Sequence, residues 1–189
     1  MTITVQLRAA KIPLVGFLAI HYWFVIIREQ QIDRWEIWQN KNVGEISWGH
    51  LHKNLMNYES GVGNGHSWLE KEWIGQTAEN LAEIIEDTPQ KYPYNNYYLS
   101  WPGPNSNTYI QSILTQAKIN YFLSPQGIGK DFVSLISLKK YAQVIHFSTI
   151  LFGFKFIWPK QFELHILNLA LTIIIKPFQI KTPFFWIKK

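Results

Sequence analysis

A serine can attack a carbonyl only if a base takes its proton, and Ser106 stands where such chemistry has a structural rationale. It lies in Asn105-Ser106-Asn107-Thr108-Tyr109, directly after Pro102-Gly103-Pro104. The Pro-Gly-Pro run is incompatible with helix and forces a sharp entry into the element that follows. Ser106 is therefore expected at a helix N-terminus, where unpaired N–H groups and the positive end of the helix dipole stabilise an anion, including the oxyanion of acyl transfer. The base in this reading is His21. A histidine base needs an acceptor to orient it, and Glu36 lies fifteen positions on, where a hairpin would bring it alongside. The structural alternative is simpler. Ser and Asn are preferred N-cap residues, and a strand histidine is commonly hydrogen-bonded for packing alone.

Other chemically suggestive residues carry less. Gly61–Gly65 is glycine-rich without the strand–turn–helix context of a dinucleotide site, and Gly127–Lys130 lacks the spacing of a phosphate loop; both are expected to be turns. His50 and His52 would share a strand face, but no carboxylate cluster flanks them or His66, and no metal site is expected.

The elements that must position these residues follow from periodicity. His21–Ile27 is aromatic and β-branched, and Arg34–Gln39 alternates, with Trp35 and Ile37 out of phase with Arg34, Glu36 and Trp38. Together they predict a β-hairpin with a longer loop at Arg28–Asp33. A short element is expected within Gly49–Met56. Ala78, Leu81, Ala82 and Ile85 predict a helix over Ala78–Asp87, capped by Thr77 and ended by Pro89. Ile110, Ile113, Leu114 and Ala117 predict a second helix over Asn107–Lys118. Beyond Ser134 the texture turns β-branched and aromatic. Val144–Phe154, Phe162–Leu169 and Ala170–Ile175 read as strands, with a buried helix within 162–175 left open.

The 189 residues suit one domain with an appendage, and 47% hydrophobic content excludes a disordered chain. There is no cysteine, which removes disulfides, thiolate metal sites and a cysteine nucleophile. Charge is unevenly placed. Residues 1–138 hold ten Lys and Arg against twelve Asp and Glu, whereas residues 139–189 hold eight lysines and one glutamate, a net +7. Such a tail suits phosphate-bearing surfaces or lysines on a solvent face. The apolar run Ile12–Ile27 contains Pro13, Gly16 and His21, is shorter than a membrane helix needs, and precedes no signal-peptidase pattern. Two strands with a break are expected there, in a cytoplasmic or peripheral membrane protein.

The blocks His21–Trp23, Arg34–Gln39, Trp48–His50, Tyr92–Tyr94, Trp101–Tyr109 and Gly129–Asp131 resemble the pattern of an uncharacterised bacterial family, over about residues 14–135. The order of His21, Glu36 and Asn105–Tyr109 is also similar to circularly permuted papain-like proteins, the lecithin:retinol acyltransferase and NlpC-like groups. In those, a histidine opens one strand, a polar partner sits on the next, and a later helix carries the nucleophile. Ser106 stands where that pattern has cysteine, and a hydroxyl is far less acidic than a thiol.

The resemblance implies an α+β fold, a permuted papain-like core over residues 1–135 with a basic, β-rich extension over 136–189 packed on it. It implies a hydrolase or acyltransferase acting on an amide or ester. Ser106 would attack, His21 relay the proton, Glu36 orient His21, and the Ser106 and Asn107 amides receive the oxyanion. Asn105, Asn107, Tyr94 and Trp101 are the residues expected at the substrate or oxyanion. The alternative is a catalytically inactive binding module on the same fold, associated with a membrane surface. No cofactor is expected. The expected substrate is a small molecule, peptide or lipid, with peripheral membrane contact through the basic aromatic tail and no nucleic-acid partner.

Overall fold

The computed structural model describes residues 3–13, 19–132, 136–141, 144–149, 152–166, 169–182 and 184–188. The expected break between the first two strands lies partly outside them, at residues 14–18. Strands β1 (Ile3–Lys11), β2 (Ile20–Arg28), β3 (Gln31–Ile37), β4 (Ile46–Trp48), β5 (Leu51–Lys53) and β6 (Trp68–Ile74) form one antiparallel sheet in the order β4-β5-β3-β2-β1-β6. No helix among the described residues is long and apolar enough to cross a membrane.

β2 is central and buried on both faces. On one face Tyr22, Phe24 and Ile26 join Trp35 and Ile37 of β3 in the main core. Helix α1 (Gly75–Glu86) adds Leu81 and Ile85 to it, and helix α3 (Ser106–Gln116) adds Tyr109, Ile110, Ile113 and Leu114. The four-residue helix α2 (Thr88–Lys91) lies between them in sequence. On the other face Trp23 and Val25 pack with Ala10, Tyr58 and Val62. Side chains alternate faces along a strand, so His21 falls on this second face with Trp23 and Val25.

Three expectations are corrected here. The β2–β3 connection is a two-residue turn, with Arg28 paired to Gln31 and Glu29 at φ 48°, not a longer loop. Polar residues at 28–33 suggested a break, yet they continue both strands: Gln31 lies at the exposed hairpin end, and buried Asp33 is satisfied by Lys53 and Asn54. α1 starts two residues before Thr77, with Ile74 at the cap position and no side-chain cap bond, because β6 runs into it without a loop. The expected single strand Val144–Phe154 is two, β8 (Val144–Thr149) and β9 (Phe152–Ile157).

The remaining strands, β7 (Ile136–Tyr141), β10 (Gln161–Ile166), β11 (Leu169–Ile174), β12 (Gln179–Lys181) and β13 (Trp186–Lys188), complete a second sheet with β8 and β9. All seven strands are antiparallel in sequence order, β7 to β13. Residues 162–175 thus hold strand rather than helix in their described part. Charged side chains tie this sheet to the loop after α3. Lys130 Nζ contacts Asp131 and lies 2.6 Å from Glu163; Lys155 Nζ lies 2.9 Å from Asp131. Thr172 Oγ1 donates to Glu163 (2.9 Å). All are buried. Among the described residues two cations and two anions balance here, which is the condition under which buried charge is tolerated.

Candidate active site

The segment Asn105–Thr108 opens α3, and its four side chains divide the work. Asn105 is the N-cap: its Oδ1 accepts from the Asn107 N–H (3.0 Å) and the Thr108 N–H (3.3 Å), while Thr108 Oγ1 accepts from the Asn105 N–H (3.1 Å), a reciprocal capping box. Asn105 Nδ2 donates to the Ser100 and Ile128 carbonyls, both at 3.1 Å. Gly129 makes this approach feasible. It has φ 88°, and a Cβ there would lie 2.2 Å from Asn105 Nδ2. Asn107 Nδ2 donates to the Ile20 carbonyl (2.9 Å) and the Ile128 carbonyl (3.0 Å), which stitches the helix start to the first residue of β2.

Ser106 is thereby relieved of capping, and its Oγ lies 2.9 Å from His21 Nδ1. His21 Nε2 lies 3.0 Å from Glu36 Oε2. Continuing the β2–β3 register places Glu36 opposite Trp23, diagonal to His21 on the same face. His21 and Ser106 are 4% and 6% exposed and Glu36 is fully buried. The structure therefore brings the three together.

Arg34 completes the set. It lies two positions before Glu36, so both project from one face of β3. Its Nη2 donates to Glu36 Oε2 (2.8 Å), and its Nε makes a 2.7 Å ion-pair contact with Oε1. Nη1 donates to the Asn57 carbonyl (2.8 Å) and the Ser60 carbonyl (2.6 Å), and the guanidinium lies 4.1 Å from the centre of the Trp23 ring. Burial alone would push the Glu36 pKa up; the His21 hydrogen bond and the Arg34 charge outweigh it and hold the carboxyl below its ordinary value. An ionised Glu36 only accepts, so Nε2 of His21 carries the proton and donates to it. In the neutral ring Nδ1 is then the nitrogen that accepts from the Ser106 hydroxyl, the tautomer a general base requires. The ring is presented in the sense opposite to the Ser-His-Asp template, where Nε2 faces the serine. Trp23 stacks near the His21 ring (5.7 Å) and Trp38 meets it edge-on (5.5 Å).

The other expected residues are placed differently. The Asn107 amide, expected to receive an oxyanion, is engaged by Asn105 Oδ1, whereas Ser106, first in the helix, has an N–H with no intrahelical acceptor. The Asn105 and Asn107 side-chain amides donate to backbone carbonyls rather than into a cleft. Tyr94 packs edge-on against Tyr92 and Phe132 and lines a cavity of about 240 Å³ with Thr108, Gln111 and Lys130. Trp101 is half-exposed. His50 and His52 serve the fold: His50 Nδ1 bonds the Trp38 carbonyl (2.9 Å), and His52 bonds the Asn40 carbonyl (3.0 Å) and Ser47 (2.8 Å). Asp131, Glu163 and His165 bring potential ligand atoms within 4.8 Å of one another, but Lys130 and Lys155 already neutralise both carboxylates.

A family model described as "Protein of unknown function (DUF3750)" matches residues 2–132. The chain belongs to this family. No curated protein and no solved structure matches the chain significantly. The DUF3750 region spans the six-stranded sheet, helices α1 to α3 and the whole His21–Glu36–Ser106 relay, and ends just after Asp131.

Proposed function

We propose that the chain is a hydrolase or acyltransferase that attacks an amide or ester through Ser106. The observation that carries this is the continuous relay from Ser106 Oγ through both His21 nitrogens to Glu36, at 2.9 and 3.0 Å, with capping assigned to Asn105 instead. In the proposed reaction, Ser106 Oγ attacks the carbonyl carbon while His21 Nδ1 takes its proton. Glu36, held ionised by Arg34, steadies the resulting imidazolium. The oxyanion is received by the Ser106 N–H at the positive end of α3. His21 then protonates the leaving amine or alcohol, and water or a second acceptor takes the acyl group from Ser106. The chain order of histidine strand, carboxylate strand and nucleophile helix supports a permuted papain-like ancestry for this region.

A second reading draws on the burial of Ser106, and of His21 against Trp23 and Trp38. In it the relay is a structural brace inside a catalytically silent binding module. A fluorophosphonate probe separates the two. Labelling of the folded chain that is lost in Ser106→Ala and His21→Ala supports catalysis. Absence of labelling, with a Ser106→Cys variant also inert to acylating thiol probes, favours the silent module.

A further inference from the structure

The seven-stranded sheet is built inside out. Its charged and polar side chains Lys155, Glu163, His165 and Thr172 are buried, with Ile157 and Ala170 beside them. Their strand neighbours point the other way and are apolar. Directly paired residues in an antiparallel sheet share a face. The register Ile145–Phe156–Phe162–Ile173–Ile180–Ile187 therefore runs as one apolar row across β8 to β13. Phe147–Phe154–Leu164–Leu171 forms the next row, and Phe152 pairs with Ile166 beyond it. Phe152 and Ile166 are more than half exposed, at 53% and 58%. Scattered exposed apolar residues are ordinary, but a contiguous sheet face of them marks a binding surface.

We propose that this face docks on an anionic lipid bilayer. Charge selects the occupant. The tail from residue 139 carries eight lysines and a single acid, Glu163, which is buried against Lys130 and Lys155. The tail holds no other acid to repel an anionic surface. At one rim the β9–β10 and β11–β12 turns meet through the Ile175 N–H to Lys160 carbonyl bond (2.9 Å). This rim presents Lys160 and Lys176 with Trp158 and Phe178, all exposed. Lysine with an aromatic ring at the edge of an apolar face is the composition of a bilayer interface. A second copy of the chain would bring two basic tails together, whereas anionic headgroups neutralise one. The described strands form an open order from β7 to β13, and an open sheet leaves edge groups unpaired in hydrocarbon, so it lies on the bilayer rather than crossing it.

The test is sedimentation of the full chain with phosphatidylcholine vesicles, with and without phosphatidylserine. Binding is expected to the anionic vesicles, weakened by added salt, and abolished in Phe154→Ser/Phe162→Ser. Each of Lys160→Gln and Lys176→Gln, in exposed turns that leave the sheet intact, is expected to lower partitioning about fivefold, since one basic residue near an anionic leaflet contributes about 1 kcal/mol. If the phenylalanine variant fails to fold by circular dichroism, the lysine variants decide. No sedimentation with either vesicle overturns the proposal, as does binding indifferent to both sets of variants. A concentration-dependent dimer broken by Phe154→Ser/Phe162→Ser, without vesicle binding, overturns it in favour of a second copy. Ser106→Ala is expected to bind vesicles like the wild type, so the result is independent of the catalytic reading.

Discussion

Replacing Glu36 by Gln removes one charge and almost no volume, which makes it the sharpest probe of the buried relay. In the wild type Oε2 accepts from both His21 Nε2 and Arg34 Nη2, while Oε1 faces Arg34 Nε at 2.7 Å. A glutamine has one oxygen. Placed at Oε2, it turns its NH2 against Arg34 Nε; flipped, it turns the NH2 against both His21 and Arg34. Either way the guanidinium, itself fully buried, loses its countercharge. Breaking one partner of a buried pair costs about 3–5 kcal/mol, a large share of a typical total stability of about 5–15 kcal/mol. The pH dependence gives a second check. The folded-state pKa of Glu36 lies below its ordinary value of 4.5, so its contribution is fully present above that value and is lost as pH falls through the folded pKa. Protonated Glu36 resembles the glutamine, and the gap between the two proteins should close in acid. Urea unfolding followed by tryptophan fluorescence at stepped pH measures it, with the slope m expected unchanged. A gap below about 1 kcal/mol near neutral pH, or one that widens in acid, would refute the reasoning.

Three further outcomes follow from the same geometry. Asn105→Ala, which removes the capping box and its two side-chain donations, should cost about 1–2 kcal/mol in thermal unfolding, whereas Ser106→Ala, which removes no cap, should act only through the unpaired His21 Nδ1 and cost about 1 kcal/mol. Lys155→Met removes one of the two described cations that Asp131 and Glu163 share; a loss of about 3–5 kcal/mol is expected, read as faster proteolytic release of residues 136–189, and unchanged protease resistance would count against the ionic clasp. Gly153→Ala places a methyl 2.1 Å from His165 Nε2 and 2.5 Å from the Phe147 carbonyl oxygen; overpacking should lower stability by about 1–3 kcal/mol, and an unchanged melting temperature would count against this close packing.

The His21–Glu36 juxtaposition was legible because period-two alternation puts Arg34, Glu36 and Trp38 in one phase, and a hairpin brings that phase beside His21. Arg34 was not, because a charged residue in an alternating strand reads as solvent-facing. Here the 57–62 segment covers that face and supplies the Asn57 and Ser60 carbonyls as acceptors. The helix start at 105–108 was visible, but four residues of cap-forming type, Asn105 to Thr108, stood side by side. Only the reach of Asn105 over Gly129 assigns the cap to Asn105 and frees Ser106. In the tail, β-rich texture predicted strands, while the division between β8 and β9 left no signal in a continuous apolar run. The usual rule also points Phe152, Phe154 and Phe156 inward. The rule fails because Lys155 and Glu163 find buried partners in Lys130 and Asp131, which lie far away in sequence.

The central claim is that Ser106 is an activated nucleophile. The most direct measurement is peptide mass mapping of the folded chain after exposure to a fluorophosphonate. The account predicts a single adduct on Ser106, absent from His21→Ala although that protein remains folded. An unmodified Ser106 in the folded wild type, or an adduct that forms equally well in His21→Ala, would contradict it.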